Sequence, residues 1–389
     1  MARASQDHFT LPAWASVGAS TAGVSEDIAH GQVVIVTFRW IMAVAGFLFA
    51  LWNPGPVGEL RVQILVIFAL AVANFYLHAQ LLMGRPSLDL VVFGASAVDL
   101  SLISVLVATG GGFDSSLFMY YYPAVLVFSV AFPTAVTFAF TAGALALYTL
   151  IGQPAMTAED NVHVAATRLL SLAAIAVCGH LYWRIERDRR REAALRGGLA
   201  RSEAQEGAED LFFGQVVILA ARWALIAAGA VVVLWTAREQ TELITGILPV
   251  VALMAVNFFL HGRYLLEQPA NRMLTVAATL IDLVVITAVV LAWPGPQGLA
   301  SPLFVLYYPV LVGFAFVFPP AASAAYTGLA LVGYAGTCLL ADPSFVDSSR
   351  QVELLVQRLT TMAAVGGLAT YYWRIQRARR RLARRPNEG

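Results

Sequence analysis

The sequence predicts an all-α integral membrane protein with about 12 transmembrane helices, arranged as two parallel six-helix repeats. Three observations predict it. Apolar stretches long enough to cross a bilayer recur along the chain, the second half repeats the first, and arginines collect at the ends of alternate stretches. Of 389 residues, 59% are hydrophobic and 13% charged, a balance outside the range of water-soluble globular domains.

A hydrocarbon core about 30 Å thick needs roughly 20 apolar helical residues. Such stretches fall at 32–52, 62–83, 89–109, 116–132, 134–152 and 165–184, and again at 215–235, 243–263, 273–293, 302–318, 321–341 and 355–374. The fourth and fifth of each set are separated only by a proline turn, Phe132-Pro133 and Phe318-Pro319, which makes each pair a tight helical hairpin. The fourth stretches are short, so a re-entrant path stays open for both.

The duplication is read directly. Gly31 to Trp52 aligns with Gly214 to Trp235 with 11 identities in 22 positions. NFYLH from Asn74 matches NFFLH from Asn257, Asp99 matches Asp282, SSLFMYYYP from Ser115 matches SPLFVLYYP from Ser301, and YWRIERDRRR from Tyr182 matches YWRIQRARRR from Tyr372. The offset grows from 183 to 186 to 190, which puts the insertions in loops. The expected divisions are a cytoplasmic segment 1–30, a first module 31–191, a linker 192–213, a second module 214–381 and a basic tail 382–389. The linker, rich in Ala, Arg and Glu, reads as a short surface helix. Residues 1–30 are polar, lack the pattern of a cleaved signal peptide and read as part of the mature protein.

An even number of spans per copy makes the repeat parallel. With the N-terminus inside, 18 arginines fall on the cytoplasmic side against Arg61, Arg238 and Arg350 opposite, so the positive-inside rule puts both termini in the cytoplasm. Trp183 and Trp373 stand where an aromatic belt would anchor the inner interface.

All 25 basic residues are arginine, and the absence of lysine excludes Schiff-base chemistry, retinal attachment and pyridoxal enzymes alike. A net charge of +1 gives no field for nucleic acid. Cys178 and Cys338 lie in apolar stretches without metal-ligand spacing and read as packing residues. No HExxH, serine elbow or phosphate-binding glycine loop occurs, so the chain reads as non-enzymatic, with no catalytic residue and no metal site.

Charges inside spans need a partner or a role. At about 1.5 Å per residue, Arg39, Asn74, His78 and Asp99 fall at similar depths on three helices, and Arg222, Asn257, His261 and Asp282 repeat the set. Asn74 and His78 share a helix face. Two readings follow: a structural ion pair satisfied by amide and imidazole, or a ligand or proton site in each bundle. A second set lies where a glycine turn leads into the fourth stretch: Ser115, Tyr121, Tyr122 and Arg168, then Ser301, Pro302, Tyr307, Tyr308 and Arg358. These aromatics either pack or form a pocket for a flat lipophilic ligand, and the two arginines either snorkel to headgroups or meet an acidic ligand.

The ordered motifs, RW in the first helix, an aspartate in the third, a glycine pair before [SN]-P-L-F, then YYP and a basic exit, resemble the membrane sensor module of bacterial sensor histidine kinases. Redox-sensing members carry a GG-L-x-N-P-F element implicated in ubiquinone sensing. Gly298-Leu299-Ala300-Ser301-Pro302-Leu303 is similar to it with serine for asparagine, while Gly111 to Ser116 has lost the proline. The resemblance implies a quinone-type ligand, the only cofactor expected, and a signalling output. The linker has no histidine and the last basic segment runs 16 residues from Arg374, so the expected output comes from partner proteins at the arginine-rich segments. The alternatives are an accessory subunit of a larger membrane complex, whose basic exits dock lipid or partner helices, and a secondary transporter, against which no span shows a clear Gly or Pro interruption at its centre.

Overall fold

The computed structural model describes residues 24–52, 57–82, 89–155, 159–195, 203–236, 240–265, 271–292 and 297–383. Every regular element among them is helical: α1 Val24–Trp52, α2 Val57–Leu82, α3 Asp89–Thr109, α4 Tyr121–Ala131, α5 Thr134–Gly152, α6 Glu159–Leu195, α7 Glu203–Thr236, α8 Gln240–Leu265, α9 Arg272–Ala292, α10 Tyr307–Ala315, α11 Pro320–Ala341 and α12 Ser349–Ala383. Among the described residues, nine helices are long and apolar enough to cross a membrane. Their outward faces are apolar too, with Leu65 68%, Phe75 68% and Val332 72% exposed, a surface that suits hydrocarbon and not water. The chain is a multi-pass membrane protein.

Three helices fall outside those nine, for two reasons. The stretches Ser116–Ala131 and Pro302–Ala315 are short, each a five-residue 3₁₀ turn followed by α4 or α10. At about 2 Å per 3₁₀ residue and about 1.5 Å per α residue they reach about 26 and 24 Å. Every residue of α4 and α10 is buried, so these helices are enclosed by the others and never meet lipid. The third, α12, carries Arg358, Gln357 and Thr361 on buried positions, so its composition reflects protein neighbours.

The packing order follows. α4 lies against α6, α1 and α12; α10 lies against α12, α7 and α6. α2 and α8 cover α1 and α7, α3 and α5 flank the α4 side, and α9 and α11 flank the α10 side. Each of α6 and α12 thus touches the short helix of both halves. The hairpins form as the proline turns predict: Pro133 and Pro319 are extended, and Thr137 and Ser323 donate from Oγ to the carbonyls of Phe132 and Phe318, 3.0 and 3.1 Å away, occupying acceptors that the ended helices leave open.

Several expectations change. α6 continues to Leu195 and α7 starts at Glu203, so helix in the linker belongs to its neighbours and no separate surface helix stands in its described part; Ala, Arg and Glu are strong helix formers that simply extend the spans. Segment 1–23, residues 196–202 of the linker and tail residues 384–389 lie outside the described residues. Trp183 and Trp373 are buried, because α6 and α12 are central and have little lipid-facing surface at that level. α8 contains Pro249 in its interior, a helix proline absent from the expectation, and the helix runs on through it. Cys178 and Cys338 are buried and free, as packing residues.

Close approach decides one site in the core. A Cβ on Gly179 of α6 would stand 2.9 Å from Cβ of Ser129 of α4 and in collision with its Oγ. The aligned positions in the second half are Ala369 and Ala315, both buried. Glycine with serine and alanine with alanine are two solutions to the same space. Gly179→Ala is therefore expected to lower stability by about 1–3 kcal/mol through overpacking, and Gly179→Ala with Ser129→Ala to recover part of it, since the Oγ clash is removed while the close Cβ contact stays. Thermal unfolding in detergent by circular dichroism checks this; a double variant no better than the single would refute the pairing.

Candidate functional site

The turn-end set is built from backbone conformation upward. Gly111 and Gly112 have φ of 109° and 64°, and Gly298 has φ of 54°, left-handed values that glycine adopts without strain. The glycines let the chain reverse after α3 and α9 into a 3₁₀ turn. Ser115 and Ser301 cap the next turn: Oγ accepts from the backbone N–H of Leu117 at 3.2 Å and of Leu303 at 3.3 Å. Capping explains why serine can stand at a position where the similar motif has asparagine, since both side chains are good caps. Pro302 opens the second turn, where its missing N–H costs nothing.

Arg168 near the start of α6 and Arg358 in α12 turn inward onto this element. Nη1 of Arg168 donates to the carbonyl of Phe113 at 2.8 Å and to Tyr148 Oη at 2.7 Å, with the guanidinium 3.9 Å from the centre of the Phe118 ring. Nη1 of Arg358 donates to the carbonyl of Leu299 at 2.8 Å and to Tyr334 Oη at 2.6 Å, 3.8 Å from the Phe304 ring. Each guanidinium thus closes a turn by charge-assisted hydrogen bonds and covers an aromatic face. Tyr121 shares a hydrogen bond with Ser104 at 2.7 Å, and Tyr307 one with Thr287 at 2.8 Å. Tyr122 and Tyr308 meet face to face, ring centres 4.3 Å apart, at the junction of the two halves. Tyr308 bonds Thr361 at 2.7 Å, while the Tyr122 hydroxyl and the Ser171 hydroxyl, aligned with Thr361, are buried without hydrogen-bond partners.

Sequence reasoning missed Tyr148, Tyr334, Phe118 and Phe304 as members of this set. A signal was present: Tyr148 and Tyr334 align at the same offset of 186 as Tyr121 and Tyr307.

The intramembrane polar set is brought together, with roles that differ from the expected ones. In the first half Arg39 donates from Nε and Nη2 to the two oxygens of Asp99, both at 2.6 Å, and from Nη2 to the Ala95 carbonyl at 3.0 Å. Neither Asn74 nor His78 completes the pair. Asn74 donates to the Val36 carbonyl of α1 at 3.1 Å, and His78 Nδ1 accepts from Trp40 Nε1 at 3.1 Å, so both tie α2 to α1. In the second half Arg222 Nη2 approaches Asp282 Oδ1 at 3.2 Å without hydrogen-bond geometry, and Asn257 has no partner. Trp223, aligned with Trp40, meets Phe258 edge-on at 5.0 Å and leaves His261 outside such a bond. Among the described residues no group of three or more His, Cys, Asp or Glu could hold a metal ion.

Searches against family models, curated proteins and solved structures return no match to this chain.

The Arg39–Asp99 pair is fully buried, so breaking it from one side leaves a bare charge. Arg39→Ala is expected to cost about 3–5 kcal/mol and much of the folded yield, whereas Arg39→Gln with Asp99→Asn removes both charges and is expected to cost far less. Size-exclusion chromatography of detergent-solubilised protein reads the folded fraction; equal loss in both variants would show that the pair is not coupled.

Proposed function

We propose that this protein is a sensor-like transducer of the bacterial inner membrane, built as two parallel six-helix repeats with 12 membrane helices and both termini cytoplasmic. In this reading a lipophilic ligand with a polar carbonyl or acidic head, a quinone being the candidate, binds at the two turn-end sites, and proteins docked at the arginine-rich ends of α6 and α12 receive the signal.

One observation carries the reading. The arginines that clamp the glycine turns, Arg168 and Arg358, belong to the two helices that continue unbroken to the arginine-rich segments, 37 and 35 residues long. A ligand oxygen that took the guanidinium from the carbonyl of Phe113 or Leu299 would change the force on α6 or α12 at one end, and the helix would carry it to the other. The coupling would also cross between halves, because α6 touches the 3₁₀ turn before α10 and α12 the one before α4; Thr361 Oγ1 lies 3.8 Å from Met119 Sδ across this junction. A ligand shifts such an equilibrium only by its preference for one arrangement, so its polar head must replace bonds of about 1.5–3 kcal/mol each and its apolar body the ring contacts.

The reading as an accessory subunit has its own support. The turn-end aromatics fill their own space: Tyr122, Tyr148, Tyr308, Tyr334 and Phe304 are all fully buried against one another and the guanidinium groups. A purely structural element needs nothing more. Native mass spectrometry of gently purified protein separates the two readings. A stoichiometric lipophilic ligand, lost in Arg358→Gln and in Tyr307→Phe with Tyr308→Phe while the fold persists, is the expected result. A constant set of other membrane subunits with no ligand would overturn the sensor reading in favour of the subunit.

A further inference from the structure

The two buried ion pairs align in sequence and differ in chemistry. In the second half seven buried polar atoms lack a hydrogen-bond partner: Nε, Nη1 and Nη2 of Arg222, both oxygens of Asp282 and both amide atoms of Asn257. In the corresponding set of the first half there are two, Nη1 of Arg39 and Oδ1 of Asn74. All three residues of the second set are at most 1% exposed, so they are shut off from lipid and from bulk water. Two of the seven, Arg222 Nη2 and Asp282 Oδ1, face each other in the ion pair at 3.2 Å; the other buried polar atoms are costly unless something inside the protein bonds them.

The surroundings of the second set are also more polar than those of the first. Tyr326 stands where the first half has Phe140, and its hydroxyl donates to the Thr279 carbonyl at 2.9 Å, one turn from Asp282 on α9. The loose pair thus has a tyrosine hydroxyl in electrostatic reach of both its charges where the first half has a phenylalanine, a polar neighbour that suits a wet site.

The occupant follows from the inventory. Arg222 and Asp282 together are neutral, so an ion would leave one charge uncompensated. The open atoms include donors on Arg222 and acceptors on Asp282. A molecule that donates twice and accepts twice meets this set, and water does so at the smallest volume. We propose that Arg222 and Asp282 form an internal hydrated site, holding water that bridges the loose ion pair and exchanges with the aqueous phase. The site uses none of the turn-end residues, so it stands or falls independently of the sensor reading.

X-ray radiolytic labelling of the full chain in lipid nanodiscs, read by mass spectrometry, tests it, because hydroxyl radicals formed from internal water mark the side chains beside that water. Tyr326 is expected to be labelled several-fold faster than Tyr334 and Tyr122, which are buried at least as deeply and lie in the turn-end set. Rapid mixing with H₂¹⁸O before irradiation is expected to carry ¹⁸O into Tyr326. Equal and slow labelling of the three tyrosines would overturn the proposal. In Arg222→Met with Asp282→Leu, the label on Tyr326 is expected to fall to the Tyr334 level; persistence of the fast label would put the water elsewhere and overturn the assignment. Should that variant not fold, the wild-type comparison of the three tyrosines decides alone.

Discussion

In the hydrocarbon of a bilayer a polar group has no water to turn to, and every part of this molecule that is not plain apolar helix answers to that constraint. Where the chain leaves helical geometry, at the glycine turns before α4 and α10, backbone carbonyls lose their helical donors. Arg168 and Arg358 supply the missing bonds to Phe113 and Leu299, and the rings of Phe118 and Phe304 shield the guanidinium faces. Tyr148 and Tyr334 accept a second bond from each. With those bonds made, two helices too short to span alone can sit at the centre of the protein, walled in by longer ones.

That central position sets the character of the remaining helices. α6 and α12 contact both short helices, and polar residues take buried positions there: Thr167 and Ser171 on α6, Gln357, Arg358 and Thr361 on α12. α2, α3, α8 and α9 stand further out and expose valine, leucine and phenylalanine. The Tyr122–Tyr308 stack lies at the middle of the assembly, where the copies meet through equivalent residues.

Between the two stretches of sequence that align, the residue differences are physically compensated in some places and open in others. Gly179 with Ser129 and Ala369 with Ala315 fill corresponding volume. The ion pairs do not compensate: Asp99 holds Arg39 by two short bonds, while Asp282 and Arg222 touch at one point. The first pair therefore ties α1 to α3 through two charge-assisted bonds, and the second joins α7 to α9 through a single contact.

Much of the fold and part of the candidate site are legible in the residues alone. Hydrophobic runs of membrane length, proline punctuation and the offsets of 183, 186 and 190 are local or periodic properties, so the sequence by itself determined an all-helical membrane chain, its hairpins at Pro133 and Pro319 and its packing cysteines, while it left the Arg39–Asp99 set open between an ion pair and a ligand site. Tertiary structure decided what depends on neighbours distant in the chain: that Arg168 and Arg358 turn inward, that Trp183 and Trp373 are core, that Tyr148 and Tyr334 join the turn-end set, and that the second ion pair is loose. The physical reason is that a span's apolar pattern states only that it avoids water. Whether a given face meets lipid or another helix, and which partner a buried polar atom finds there, is settled by packing between helices.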